Sequence, residues 1–540
     1  MRTFLDWIDR NFIDLGRQMR LSYLPPLMVY VAAGISGLTG IVGTFYVKER
    51  LGLSAEFLAA LGFWAGLPWA LKMPVGHLVD LIWRWKAVLV YLGASLIAAS
   101  LLIMVGLLGD APAMTAVMPV EAWFVLAALL APVGYVVQDV VADAMTVEAV
   151  PRHDEAGQPL ADEARRLMHT TMQTLGRVAI IGGSLLVAGA NVVLMAGVGQ
   201  LPEAERAQAY QRVYELALVI PVVSVAGVLL ASWLHRRERR RLAARGLDAA
   251  QVDALTLRHV ERPPVNWWIL GGGLAFAVVS ITLGLAKVPY AQEWVFAVSM
   301  GIVVFLITRI VRELDERSRQ VLIGTAVVIF VFRAVPGPGA GSTWWMIDEL
   351  KFDQQFIATL SLISSGLTLL GLFIFRRFMA ERSITYIVGF LSVIGAVLSL
   401  TNIGMFYGLH EWTAARTGGV VDARFLAVID TALESPLGQI AMIPMLAWIA
   451  NSAPEHLKAT FFAVMASFTN LALSASQLGT KYLNGIFAVT REVKDRATGA
   501  IKVPADYSEL GALFITVALL GLALPFAAIA LVRLARLRSA

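Results

Sequence analysis

The chain has 540 residues, 58% hydrophobic and only 15% charged, with a mean hydropathy of +0.70. That composition excludes a soluble domain and defines an integral membrane protein. The net charge of +5 does not argue for nucleic acid, because Lys and Arg fall mainly in short turns between apolar runs, and the absence of cysteine excludes disulfides and thiol chemistry.

Residues 1–23 mix Asp6, Asp9, Arg10, Asp14 and Arg17 with Phe4, Trp7, Ile8, Phe12 and Leu15. This is the pattern of an amphipathic helix lying on the membrane surface, not of a signal peptide. Apolar runs long enough to cross a bilayer follow at 24–46, 55–79, 86–108, 121–148, 168–192 and 213–234, with Ser54 placed to cap the second. Segment 235–264 opens with Arg236, Arg237, Arg239, Arg240 and Arg241, the densest cationic block. The positive-inside rule puts it, and with it the N-terminus, in the cytoplasm. Spans at 265–286 and 293–312 come next, then six more at 320–346, 355–375, 383–406, 423–450, 458–486 and 508–533. About fourteen helices with both termini cytoplasmic result, in a membrane expected to be a bacterial inner (plasma) membrane. Loop 488–507 is the exception to the charge rule, since Arg491, Lys494, Arg496 and Lys502 fall outside in this topology.

An internal repeat organises these spans. Thr44, Phe45, Tyr46, Glu49, Leu53, Ser54, Glu56, Phe57 and Leu61 reappear in the same spacing as Thr343, Trp344, Trp345, Asp348, Phe352, Asp353, Gln355, Phe356 and Leu360. Pro132, Val133 and Gly134 are answered by Pro436, Leu437 and Gly438. The fold class expected is therefore an all-α bundle of two pseudo-symmetric six-helix halves, 24–234 and 313–540, with an inserted helix pair at 265–312. Because the repeated motifs complete both halves without that pair, it is expected to pack outside the core.

Charges inside the spans mark the working face. Asp139 and Asp143 are four residues apart, on one face of a helix. Each costs roughly 2.5–3.5 kcal/mol at a membrane centre, so both should turn inward toward a cavity, a cation or a proton. Asp430 and Glu434 repeat the spacing in the second half. Arg177 falls roughly 14 Å and Arg333 roughly 20 Å from the ends of their spans, and Glu434 roughly 16 Å. Two readings stand: static pairs, Arg177 with Asp139 and Arg333 with Glu434, or a site where an Arg holds an anion while a released carboxylate takes up a proton. Lys72 either joins that site or snorkels to the surface. Tyr135 is one turn before Asp139 and offers an aromatic platform, while Gln138, Asn470 and Gln477 offer hydrogen bonds or simply join helices. Asp80 and Arg84, between the second and third spans, are placed to gate the cytoplasmic mouth or to form an ordinary interfacial pair.

Three stretches then carry a family resemblance. Gly76, Asp80 and Arg84 resemble the loop between helices two and three of the major facilitator superfamily. Within it, Trp69, Lys72, Gly76 and Asp80, then Asp139, Val140, Val141, Asp143, Ala144 and Glu148, are similar to the folate-biopterin transporter family. So are Asp430, Thr431, Gly438, Gln439, Ala441, Met442, Pro444, Ala459, Thr460, Phe462, Ala463, Ser467 and Asn470. The resemblance implies proton-coupled transport, by alternating access, of folate, pterin or a related anionic metabolite. Muropeptide permeases share the Gln-Asp-x-Val-x-Asp-Ala segment, and some relatives carry S-adenosylmethionine, so both remain alternatives for the cargo. An enzyme is not expected, because no His joins Asp139 and Asp143 on their face and no nucleophile–base set is evident. No metal or cofactor is called for, and without a Walker-type loop ATP does not drive this chain directly. A non-transporting receptor is the remaining alternative.

Overall fold

The computed structural model describes residues 14–51, 53–151, 160–249, 251–252, 265–285, 288–312, 314–438, 440, 442, 445, 458–494 and 501–537. The N-terminal amphipathic segment falls largely outside this set, apart from a short helix at Asp14–Arg17. So do Gln439, Ala441 and Pro444 of the family motif.

In chain order the first half consists of α1 (Leu21–Arg50), α2 (Ala55–Leu81), α3 (Lys86–Gly109), α4 (Val120–Ala149), α5 (Asp162–Leu194) and α6 (Glu203–Ala244). The inserted pair is α7 (Trp267–Leu285) and α8 (Ala291–Val311). The second half comprises α9, in two segments (Glu316–Arg333 and Ala340–Asp348), α10 (Gln354–Ile374), α11 (Ile384–Phe406), α12 (Ala423–Glu434), α13 (Lys458–Ile486) and α14 (Leu510–Leu534). Eleven of the described helices are long and apolar enough to cross a membrane. The others are α9, which carries Glu316, Arg317, Arg319 and Arg333, α12, which runs into residues outside the described set, and α13, rich in Ser, Thr, Asn and Gln.

The repeat has a structural counterpart. Ser54 Oγ accepts from Phe57 N at 3.0 Å to cap α2, and Asp353 Oδ1 accepts from Phe356 N at 2.9 Å to cap α10. Each cap is worth about 1 kcal/mol and fixes where the chain re-enters the bilayer. Close crossings fix the packing within a half. A methyl added to Gly134 would fall 2.6 Å from Gly93 O, and one on Gly34 of α1 would fall 2.2 Å from Ile180 O of α5. Only glycine allows backbones so near, which is how helices pack where lipid offers no hydrophobic drive.

Two spans differ from the sequence expectation. The run 320–346 breaks at 334–339, where Pro336 and Pro338 cannot donate and Gly339 takes φ +77°. α13 satisfies the freed backbone: Thr480 Oγ1 accepts from Gly337 N at 2.9 Å, and Asn484 Nδ2 donates to Pro338 O at 3.2 Å. The sixth span is far longer than 213–234, because the arginine block continues α6 as helix to Ala244.

The inserted pair lies against α2 and α13. Gly273 sits over Pro74 and Gly284 over the Trp64 ring. Gln292 Nε2 donates to Ala60 O at 3.1 Å, Asn266 N donates to His77 Nε2 at 2.9 Å, and Glu293 Oε1 accepts from Lys481 at 3.0 Å and from Tyr482 at 2.6 Å. Trp267, Leu274, Ile281 and Trp294 stay exposed on its other face, as a lipid-facing surface requires.

Candidate functional site

α4 is held against α3 by the Gly93–Gly134 crossing, and this sets the azimuth of its acids. Gln138 faces that seam. It is buried, and its Nε2 donates to Val90 O at 3.2 Å. One residue on, about 100° round the helix, Asp139 turns to the opposite neighbours. There Lys72 of α2 meets it, with Nζ 2.6 Å from Asp139 Oδ2 and 2.9 Å from Asp143 Oδ2. Tyr30 of α1 donates its hydroxyl to Asp143 Oδ1 at 2.6 Å. Three helices thus converge on one charged cluster. Asp139 is the more enclosed acid, its side chain 13% exposed against 43% for Asp143.

Arg177 is near enough for its charge to act on Asp139 and Tyr30, yet no ion pair joins it to either carboxylate. The static pair read from depth alone is therefore replaced by a Lys72-centred one. Two carboxylates bridged by one ammonium leave a surplus negative charge, which a proton or the Arg177 guanidinium can neutralise. Tyr135 makes a side-chain hydrogen bond with Ser36 and packs beside the cluster that includes Ile41 and Val42.

The second half is arranged differently. Asp430 is buried, and its Oδ2 accepts from Asn402 Nδ2 at 3.1 Å. Glu434 is exposed on the same helix, and no ion pair joins it to Arg333. Arg333 instead donates from Nε to Thr469 O at 3.2 Å and from Nη1 to Met445 Sδ at 4.0 Å, and borders a cavity of about 160 Å³ with Gly438 and Met442. Asn470 Nδ2 donates to Trp69 O at 3.2 Å and Gln477 lies over Gly62, so both residues join α13 to α2 across the two halves. Asp80 occupies the last turn of α2, and the side chain of Arg84 falls outside the described part.

A further cluster closes the far end of the bundle, around loop 488–507. Lys48 of α1 pairs with Asp348 of α9, and Tyr507 donates to Asp348 Oδ2 at 2.5 Å. Arg491, buried over the Trp344 ring, donates to Lys48 O. In the repeat, Asp348 answers to Glu49, which takes Arg206 Nη1 at 2.9 Å and Tyr210 at 3.4 Å. Gln354 Nε2 then donates to Tyr210 at 2.8 Å, again across the halves. Equivalent acids each accept from a tyrosine near the start of the last helix of their half. Sequence reasoning missed Tyr30, Asn402 and this cluster, although the Glu49–Asp348 match pointed to it.

A bundle of membrane-length apolar helices in which Tyr30, Lys72 and the Asp139–Asp143 pair meet from three helices defines the class: a multi-pass transporter of major-facilitator fold. Solved structures bear out the fold. A POT family transporter in complex with 5-aminolevulinic acid aligns over 95% of this chain and 96% of its own, with a TM-score of 0.59 at 11% identity, and a nucleoside transporter over 95% and 99%, at 0.53 and 13%. Residues 272–538 match the BT1 family. The chain is 22% identical over 479 residues to the folate-biopterin transporter of Synechocystis sp., covering 86% of this chain and 74% of that one. It is 25% identical over 169 residues to folate transporter 2 of Plasmodium falciparum, 30% of this chain and 34% of that one. The resemblance to folate-biopterin transporters read from the sequence is borne out by these matches.

Proposed function

We propose that this protein is a secondary transporter that moves folate, pterin or a related anionic metabolite together with protons, by alternating access. The observation that carries the coupling is the single Lys72 ammonium bridging Asp139 and Asp143. When the cation is drawn to one acid or to an incoming anion, the other carboxylate loses its counter-charge and binds a proton. Arg333, bordering a cavity and with no acid paired to it among the described residues, is the anion holder of the second half, with Arg177 its counterpart in the first. That placement favours an anion over S-adenosylmethionine. Tyr135 supplies an aromatic wall, Asp430 and Glu434 a second carboxylate pair, and Asp80 with Arg84 the inner gate. The termini and the arginine-rich end of α6 face the cytoplasm of a bacterial inner membrane, with the halves at 24–234 and 313–540 rocking about the site. The names of the matched relatives support the folate and pterin class.

The test is uptake into proteoliposomes under an imposed pH gradient, with labelled folate, a pterin, S-adenosylmethionine and a muropeptide. Gradient-driven accumulation of folate or pterin, abolished by a protonophore, is expected. Accumulation of muropeptide alone moves the cargo to that alternative, and binding without flux overturns the transporter mechanism in favour of a receptor.

A further inference from the structure

A cavity of about 690 Å³ lies away from the Lys72 cluster, between α9, α11 and α14, lined among others by Ser383, Tyr386, Phe390, Phe526, Ile529 and Arg533. Its walls change along their length. Ser383 caps the start of α11 and Arg533 sits in the last turn of α14, so one end lies at the membrane surface. Val393 and Phe526 line it as well. From Ser383 to Val393 the α11 wall runs about 15 Å into the bilayer at 1.5 Å per residue. Tyr386, Val393 and Phe526 are also exposed, so the groove is open at the surface of the bundle.

The surface end is cationic. Arg533 is part of the lining, the Arg382 guanidinium lies over the Tyr386 ring at 5.2 Å, and Arg536 follows within one turn, just before Leu537, which also lines the groove. Ser383, Thr385 and Tyr386 place hydroxyls at the same end. An apolar trough inside a bilayer fills with hydrocarbon, since water there would leave its hydrogen bonds unmade. Arginines gathered between helix ends at the headgroup level select a negative headgroup.

We propose that this groove binds an anionic phospholipid of the leaflet next to the C-terminus, with an acyl chain between α11 and α14 and the phosphate on Arg382 and Arg533. The apolar floor and the basic mouth each match one part of that molecule. Neither matches a folate-sized anion, which would need polar partners along the whole trough.

The test is native mass spectrometry and thermal unfolding of the full-length protein in detergent, with phosphatidylglycerol and phosphatidylcholine of identical chains. Phosphatidylglycerol should be retained at least tenfold more than phosphatidylcholine and should raise the melting temperature. The double variant Arg382→Ala/Arg533→Ala should lose that preference. Gly389→Leu fills the trough, because a methyl there already touches the Phe526 ring at 3.7 Å. It should displace both lipids and serves as the second variant if the arginine pair fails to fold. Equal retention of the two lipids, an unchanged preference in the double variant, unchanged lipid retention in Gly389→Leu, or the same stabilisation by inorganic phosphate alone would overturn the proposal.

Discussion

The Lys72 ammonium lies within 3 Å of both Asp139 and Asp143, at 2.6 and 2.9 Å, so one cation from α2 fastens two carboxylates a turn apart on α4. Removing it leaves two like charges facing each other in a membrane interior. Lys72→Met should therefore destabilise the protein by about 3–5 kcal/mol, the usual cost of orphaning a buried charge. Lys72→Met/Asp139→Asn should recover a large part of that loss. Thermal unfolding of the two single variants and the double one measures the coupling, and simple additivity would show that the pair does not interact.

The α3–α4 crossing is the second point of leverage. Gly134→Ala puts a methyl 2.6 Å from a backbone oxygen, which no rotamer change relieves. The helices must part, at about 1–3 kcal/mol, and the azimuth of Asp139 shifts with them. Loss of stability should come with loss of transport. Gly182→Ala, where a methyl meets nothing within 4 Å, is the control and should leave both unchanged.

At the far end, Asp348→Asn removes the ion pair with Lys48 and weakens the bond from Tyr507. A partly exposed pair is worth up to about 1 kcal/mol and the hydrogen bond about as much, so the open population should rise roughly 5- to 30-fold. The cysteine-free chain permits spin labels at Gln200→Cys and Lys351→Cys, and their separation should lengthen in the variant. Burial, and then the bond to Asp348, raise the Tyr507 phenol well above its ordinary value. A raised pKa stabilises fully below the unfolded value near 10 and is lost only above it. The melting-temperature gap between the parent and Tyr507→Phe should thus stay constant from pH 6 to 9. A gap that closes within that window would contradict the assignment.

Among the described residues no acid pairs with Arg333, so none there has to be released before it meets a ligand. Arg333→Ala should weaken binding of a dicarboxylate cargo by the 1.5–3 kcal/mol of a charge-assisted bond, about 10- to 100-fold. A neutral pterin should bind nearly as before. Equal losses for both would assign Arg333 to structure, through Thr469 and Met445.

The sequence displayed what is periodic or repeated: the spans, the two halves and the four-residue spacing of Asp139 and Asp143. It did not display azimuth. Depth made Arg177 and Asp139 look like partners, but which way two helices face each other is set by contacts such as Gly93 on Gly134. Gln138 and Asp139 lie about 100° apart round the helix, and the α3 contact is what turns Gln138 to the seam and away from Lys72. Lys72 read equally well as a snorkelling side chain, because only the fold brings α2 to α4. The Glu49–Asp348 equivalence lay in the repeat, whereas their tyrosines, Tyr210 and Tyr507, lie 161 and 159 residues away and carry no local signal.

Proton coupling asks for an acid that loses its counter-charge once per cycle. Asp139 is the better placed of the two, because it is the more enclosed and shares its ion-pair partner, Lys72, with Asp143. While Lys72 sits between them and the Arg177 charge offsets the surplus negative charge, neither carboxylate needs a proton. An anion arriving near Arg177 and Lys72 draws positive charge toward itself, and the enclosed carboxylate, deprived of it, is neutralised by protonation. In the coupling proposed above, Asp143, held by Tyr30 and more open, is the group placed to pass the proton on. Asp139→Asn is neutral throughout, so it should still exchange labelled cargo across vesicles at a rate within about tenfold of the parent. It should no longer accumulate cargo when a pH gradient is imposed. If it does accumulate, coupling belongs to Asp430 and Glu434, and the same assay on Glu434→Gln should then show the loss.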